Sequence, residues 1–185
     1  YITGASGSGK STILRLLTGA FKKFTGNILI DNIPICNYNL NSLRSQTGIL
    51  LSSQDIFQGT LLENLTMGDS SINMQDITNL AEKTELVKFI QSNKEGFDTI
   101  LDPIGKRLPQ YIKQNILLIR ALLGKRRLIL LEDPFSHLSV PSKQAILQLI
   151  RANKNLTIFI ASEEACVPEE YDLVIHLEDN KLFQH

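Results

Sequence analysis

The 185 residues carry 19 Lys plus Arg against 19 Asp plus Glu, a formal net charge of zero. There is neither the basic field that nucleic acid requires nor the acidic excess of a disordered chain, and the length suits one domain with a substantial core rather than two full-sized α/β domains. Cys36 and Cys166 form no C-x-x-C pair, which predicts reduced thiols in a cytosolic setting. Arg120 and the Lys125 to Arg127 cluster hold the most apolar region below the ~20 residues of a membrane helix.

In chain order, "YIT" (Tyr1 to Thr3) reads as a strand, not as a signal peptide, and it runs at once into a glycine-rich turn. Three residues make a poor strand alone, which predicts further strands upstream in a longer polypeptide. "KSTILRLLTGA" places Ile13, Leu14, Leu16 and Leu17 on one helical face, with Gly19 near its end. "GNILIDNIPI" predicts a hairpin about Asp31-Asn32, and "TGILLSS" a strand running into a polar loop. Between Gln54 and Lys125 the pattern turns helical, in "TLLENL" with Thr60 as cap, "MQDITNLAEKTELVKFIQ" and "QYIKQNILLIRALL", with turns at Gly68-Asp69 and Glu95-Gly96. Arg127 to Leu131 is then a buried strand, "VPSKQAILQLIRAN" a helix with Pro141 near its start, "LTIFIA" a second buried strand and "YDLVIHLEDNKLF" a closing hairpin. Short apolar strands alternating with helices predict an α/β fold with a mainly parallel, doubly wound sheet flanked by helices.

"GASGSGKS", Gly4 to Ser11, fits G-x-x-x-x-G-K-[ST] and lies between the strand and the helix, the context that motif requires. Glycines allow a tight turn with inward N–H groups, the following helix presents its positive end, Lys10 reaches outer phosphates and Ser11 can ligate Mg²⁺. The predicted phosphate-binding residues are Gly4, Ala5, Ser6, Gly7, Ser8, Gly9, Lys10, Ser11 and Thr12. Farther on, "LILLEDPFSHL" carries two adjacent carboxylates, Glu132 and Asp133, to the tip of a buried strand, as a metal ligand and a base would be carried. A phosphate-handling strand of this kind usually ends Asp then Glu; here the order is exchanged.

Together with "GNILIDNIPICNYNLNSLRSQTGILLSSQDIFQGTLLENLTMGD" and "EGFDTIL", these motifs resemble the nucleotide-binding domains of ATP-binding cassette (ABC) transporters, particularly exporters, over essentially the whole chain. The resemblance implies a P-loop NTPase cassette lacking its first strands and last helix. Its core lobe would span about 1–55 and 124–185, and its helical subdomain about 56–123. It implies ATP and Mg²⁺ as ligands, a second cassette and a transmembrane domain as partners, no nucleic acid, and a place at the cytoplasmic face of a membrane. Gln54 falls where the family has a glutamine that senses Mg²⁺ and the attacking water, so Ser11, Gln54 and Glu132 are the expected metal residues. "GTLLEN" resembles a segment near the docking surface for the membrane domain.

Several positions depart from the family pattern. Where L-S-G-G-Q is expected stand Leu108, Pro109, Gln110, Tyr111 and Ile112; proline has no N–H and tyrosine is bulky where a glycine would lie. Asp133 takes the place of the glutamate that polarises water and is one methylene shorter, Ser162 that of the switch histidine, and Ser139 that of an aspartate. His137 is expected at the surface. With Asp133, Gln54 and Ser162 as its catalytic positions, the cassette is expected to bind ATP and hydrolyse it slowly or not at all. The alternatives are an active ATPase using Glu132 or Asp133, and a regulatory or structural module that pairs with a partner cassette.

Overall fold

The computed structural model of the chain describes residues 1–21, 23–101, 108–178 and 181–184. A six-stranded sheet is ordered β10-β9-β1-β8-β7-β4, where β1 is Ile2–Gly4, β4 Thr47–Leu50, β7 Leu128–Glu132, β8 Thr157–Ala161, β9 Ile175–Glu178 and β10 Lys181–Gln184. Every pairing is parallel except that of β9 with β10, which closes the sheet as the expected terminal hairpin. Its connecting residues 179–180 lie outside the described ones.

The two faces of β7 show how the sheet is covered. Side chains alternate along a strand, so Leu130 packs with Ile2, Leu14 and Leu177 beneath α1 (Lys10–Leu17), while Ile129 and Leu131 face a larger cluster on the other side. That cluster draws Ile116 and Leu118 from α6 (Gln110–Leu122) and Ile146 and Ile150 from α7 (Val140–Ala152). Leu130, Leu131, Ile116 and Ile146 are all fully enclosed, each worth ~1.5–3 kcal/mol of transfer free energy. The helix α6 lies so close to β4 that a Cβ on Gly48 would sit 1.9 Å from the carbonyl oxygen of Ala121.

The expected hairpin is present as β2 (Leu29–Ile30) and β3 (Ile33–Pro34), with Asp31 and Asn32 at φ 49° and 64°. Two positive φ values in succession are those of a type I′ turn, which Asn and Asp tolerate. Thr60 caps α3 (Leu61–Thr66) through a reciprocal box with Glu63, and Ser139 caps α7, where Pro141 lies in the first turn.

Three features differ from the sequence reading. A short helix, α2 (Leu40–Ser45), follows Asn39, whose side chain accepts from the N–H groups of Asn41 and Ser42. The stretch read as helical contains a two-stranded pairing of β5 (Gly59–Thr60) with β6 (Ile100–Leu101). "MQDITNLAEKTELVKFIQ" is two helices, α4 (Met74–Lys83) and α5 (Leu86–Ser92). They are broken where the Thr84 hydroxyl donates back to the Leu80 carbonyl at 2.9 Å and Glu85 turns left-handed at φ 61°. Among the described residues no helix is long and apolar enough to cross a membrane.

Candidate functional site

The parallel strands deliver the candidate residues to one edge. Ligands of open α/β sheets bind beyond the carboxyl ends of the strands, and β1, β4, β7 and β8 end there at Gly4, Leu50, Glu132 and Ala161. Register sets neighbours: Glu132 pairs with Ala161, so Asp133 and Ser162 follow side by side, and Leu50 pairs with Leu131, which brings Ser52 to Glu132.

From Gly4 to Ser11 the chain wraps into a loop closed by the Ser8 N–H donating to the Ala5 carbonyl at 3.1 Å, and α1 begins at Lys10 after Gly9 at φ 100°. A Cβ at Gly4 would lie 2.3 Å from the Leu177 carbonyl oxygen and 2.9 Å from Ser8 Oγ, so that corner admits backbone alone. Lys10, 8 % exposed, curls over the loop and donates to the carbonyls of Gly4 at 2.7 Å and Ala5 at 2.8 Å. Its Nζ also lies 3.9 Å from Glu163 Oε1. Ser8 Oγ is buried without a hydrogen-bond partner, and an enclosed polar atom of this kind is ordinarily matched by a ligand or water. The loop, the lysine and the unmatched hydroxyl together fit a polyphosphate.

Glu132 links the cradle to the next strand. The Ser11 hydroxyl donates to Glu132 Oε1, and the Ser52 N–H donates to Glu132 Oε2 at 2.7 Å. Burial pushes this carboxyl up, but the hydrogen bonds from Ser11 and Ser52 outweigh it and hold the group below its ordinary value. The ionised carboxylate beside a hydroxyl suits Mg²⁺, which takes one or two protein oxygens and completes its shell with phosphate and water. Gln54 stands in the same loop but turns back, its Oε1 accepting from the Leu51 N–H at 2.9 Å. Among the described residues no three His, Cys, Asp or Glu side chains cluster as a self-sufficient metal centre.

Asp133 is held differently. Its backbone is left-handed at φ 44°, its N–H donates to the Ala161 carbonyl at 2.8 Å, and its carbonyl accepts from Gln114 Nε2 at 3.1 Å. The Ser162 hydroxyl, buried at 4 % exposure, donates to Asp133 Oδ1 at 2.6 Å. The two positions that the resemblance marked as altered are thus bonded to each other. At the head of α6, Pro109 is the N-cap and supplies no side-chain cap, Tyr111 is 49 % exposed and Ile112 is buried. His137 is exposed, as expected. Ser139 Oγ donates to Glu85 Oε1 at 2.6 Å, so it ties α7 to the α4–α5 break.

The sequence reading missed Ser52, Gln114 and Glu163, all of which reach the site through strand register or helix packing rather than through a motif. It also missed a cavity of ~540 Å³ beside Gln54 whose wall carries Arg15, Arg44, Arg120 and Arg126 together with Phe21 and Met67.

Residues 1–136 match the ABC transporter family. The chain is 33% identical over 162 residues to an uncharacterized ABC transporter ATP-binding protein, YknU, of Bacillus subtilis, covering 87% of this chain and 28% of that protein. It is 30% identical over 185 residues to the mitochondrial iron-sulfur clusters transporter ATM1 of Saccharomyces cerevisiae, covering 98% and 27% respectively. A bacterial Atm1-family ABC exporter solved with ATP bound superposes with a TM-score of 0.84 at 28% identity, over 98% of this chain and 32% of that one. The chain therefore spans about a third or less of the length of these proteins. With the motif, the sheet order and the match over most of its residues in agreement, the chain belongs to the ABC transporter family and has the fold of its ATP-binding cassette.

Proposed function

We propose that this cassette is the ATP-binding part of an exporter-like transporter and that it binds Mg-ATP through Gly4 to Ser11 while hydrolysing it slowly or not at all. The observation that carries the reading is the bond from Ser162 to Asp133. Backbone N–H groups of the loop and Lys10 hold phosphate charge present in the ground state, whereas hydrolysis needs a base and donors placed about the transition state. Ser11 and Glu132 would hold Mg²⁺, which would supply charge neutralisation at the outer phosphates, and Gln54 would have to leave the Leu51 N–H to join them. Asp133, short by a methylene and engaged by Ser162, is poorly placed to take a proton from water; a displacement of ~1 Å costs about 10²-fold in rate. Ser162 has too short a reach to replace an imidazole. Pro109 and Tyr111 deprive a nucleotide on a facing cassette of an N–H and of close backbone approach.

In this reading residues 1–55 and 124–185 form the nucleotide-binding lobe and 56–123 a helical lobe that faces a second cassette. Gly59 to Asn64, the segment that resembles the family's docking surface, would meet the transmembrane domain at the cytoplasmic face of the membrane. A nucleotide titration paired with a phosphate-release assay on the intact polypeptide tests it, and binding without appreciable turnover is the expected result. Turnover at the rate of ordinary ATPases would instead make Glu132 or Asp133 a working base. No binding would reduce the domain to a structural partner.

A further inference from the structure

The ammonium of Lys10 spends two donors on the Gly4 and Ala5 carbonyls, at 2.7 and 2.8 Å, and an ammonium has three. On its solvent side stands Glu163, whose Oε1 is 3.9 Å from Nζ, with the glutamate side chain 57% exposed and the lysine 9%. The remaining donor is therefore shared between that carboxylate and whatever phosphate the cradle holds. We propose that Glu163 is a specificity-determining residue that lowers the affinity of the cradle for ATP more than for ADP.

The argument rests on the nucleotide-binding reading above and adds charge and distance to it. A phosphate oxygen bonded to Lys10 at ~2.8 Å lies within about 7 Å of Glu163 Oε1, given the 3.9 Å between Nζ and that oxygen. That is inside the ~8 Å screening length at physiological salt, so the repulsion is felt. Mg-ATP carries one more negative charge than Mg-ADP at neutral pH, and that charge is on the outer phosphate, the end that the lysine of such a loop reaches. Exposure of Glu163 keeps the effect moderate: about threefold to tenfold in affinity, which is the range for a pair screened by water at this separation. Glu164, the next residue, offers an internal control, because its carboxylate pairs with Lys143 at 3.3 Å instead of approaching Lys10.

The test is calorimetric titration of the intact polypeptide with Mg-ATP and with Mg-ADP, for the unaltered protein and for Glu163→Gln, Glu163→Asp and Glu164→Gln. Glu163→Gln should tighten Mg-ATP by about threefold to tenfold and Mg-ADP by clearly less. Glu163→Asp and Glu164→Gln should keep the original ratio, and the gain in Glu163→Gln should shrink at high salt. An unchanged ATP to ADP ratio in Glu163→Gln, or an equal change in Glu164→Gln, would overturn the role of Glu163 while leaving nucleotide binding intact. Failure of the unaltered protein to bind either nucleotide would overturn both readings together.

Discussion

Two regions meet at the carboxyl edge of the sheet and are built from different material. From Gly4 to Ser11 the surface offered to a ligand is largely backbone, closed by the Ser8 to Ala5 bond and braced by Lys10 on two carbonyls, with the hydroxyls of Ser8 and Ser11 beside it. Across from it, Glu132, Asp133 and Ser162 offer side chains from the tips of β7 and β8. A backbone cradle tolerates little change, because a single Cβ at Gly4 already meets Leu177. The opposite rim can exchange a carboxylate or lose an imidazole without disturbing the strands beneath it. On the proposed reading, binding rests with the cradle and chemistry with the rim, and substitutions can separate the two.

The largest contrast lies between Lys10→Ala and Asp133→Ala. Removal of the cradle's ammonium should weaken ATP binding about 100-fold, the loss of one or two charge-assisted hydrogen bonds, whereas Asp133→Ala should change affinity less than about threefold. Comparable affinities in a titration would show that the phosphates do not lie where Lys10 is. Next comes the combined repair Glu132→Asp, Asp133→Glu and Ser162→His. Phosphate release should rise at least about tenfold when the repaired chain is paired with a cassette that has an L-S-G-G-Q segment, and little when it pairs with itself. Strong turnover by the repaired chain alone would mean that Pro109 and Tyr111 are no obstacle.

Smaller effects sharpen the picture of the rim. Ser162→Ala removes the bond to Asp133 and should cost about 1 kcal/mol, a fall of about 3 °C in Tm, with ATP affinity unchanged. A drop in affinity would place Ser162 against the nucleotide. The smallest effect concerns Glu85, which hydrogen bonds from Lys88, Ser139 and Ser142 pull down to about 2. A carboxyl lowered on folding stabilises the native state above its unfolded value and loses that contribution as pH falls toward about 2. Glu85→Gln should therefore flatten the fall in Tm between about pH 5 and pH 2, and modestly, since the side chain is 40% exposed. An unaltered slope would mean that the α4–α5 break is held by Thr84 alone.

Much of the cassette was legible in the sequence where the signal is local. Asp31-Asn32 announced a hairpin turn, Thr60 a helix cap, and the glycine spacing before Lys10 spelled the cradle. The break at Thr84-Glu85 was not legible, because glutamate has no preference for the left-handed region and the apolar period continues past it. Nor was the β5–β6 pairing, which joins two-residue strands some forty positions apart, Gly59–Thr60 with Ile100–Leu101. The Ser162–Asp133 bond belongs to the same class: the resemblance marked both residues as altered, but only the register of β7 against β8 makes them partners. Glu163 carried no motif at all and gains meaning from the fold of Lys10.

The contact of Gly48 with Ala121 has a consequence for how such a domain ages under selection. Helix α6 is located at its far end by a helix-to-strand approach that leaves no room for a side chain, and along its length by Ile116 and Ile119, both enclosed. Leu108 packs against the same cluster, but Pro109, Gln110 and Tyr111 at the head are exposed and add no buried side chain to that anchorage. A lineage could therefore accumulate proline and tyrosine at the head of the helix with little penalty in folding, and only a selective demand for turnover would remove them. Mutations at Gly48 would be purged in any lineage that still needs the domain to fold. The head of α6 is free to record what the cassette has been asked to do, while its foot records only that the domain persists.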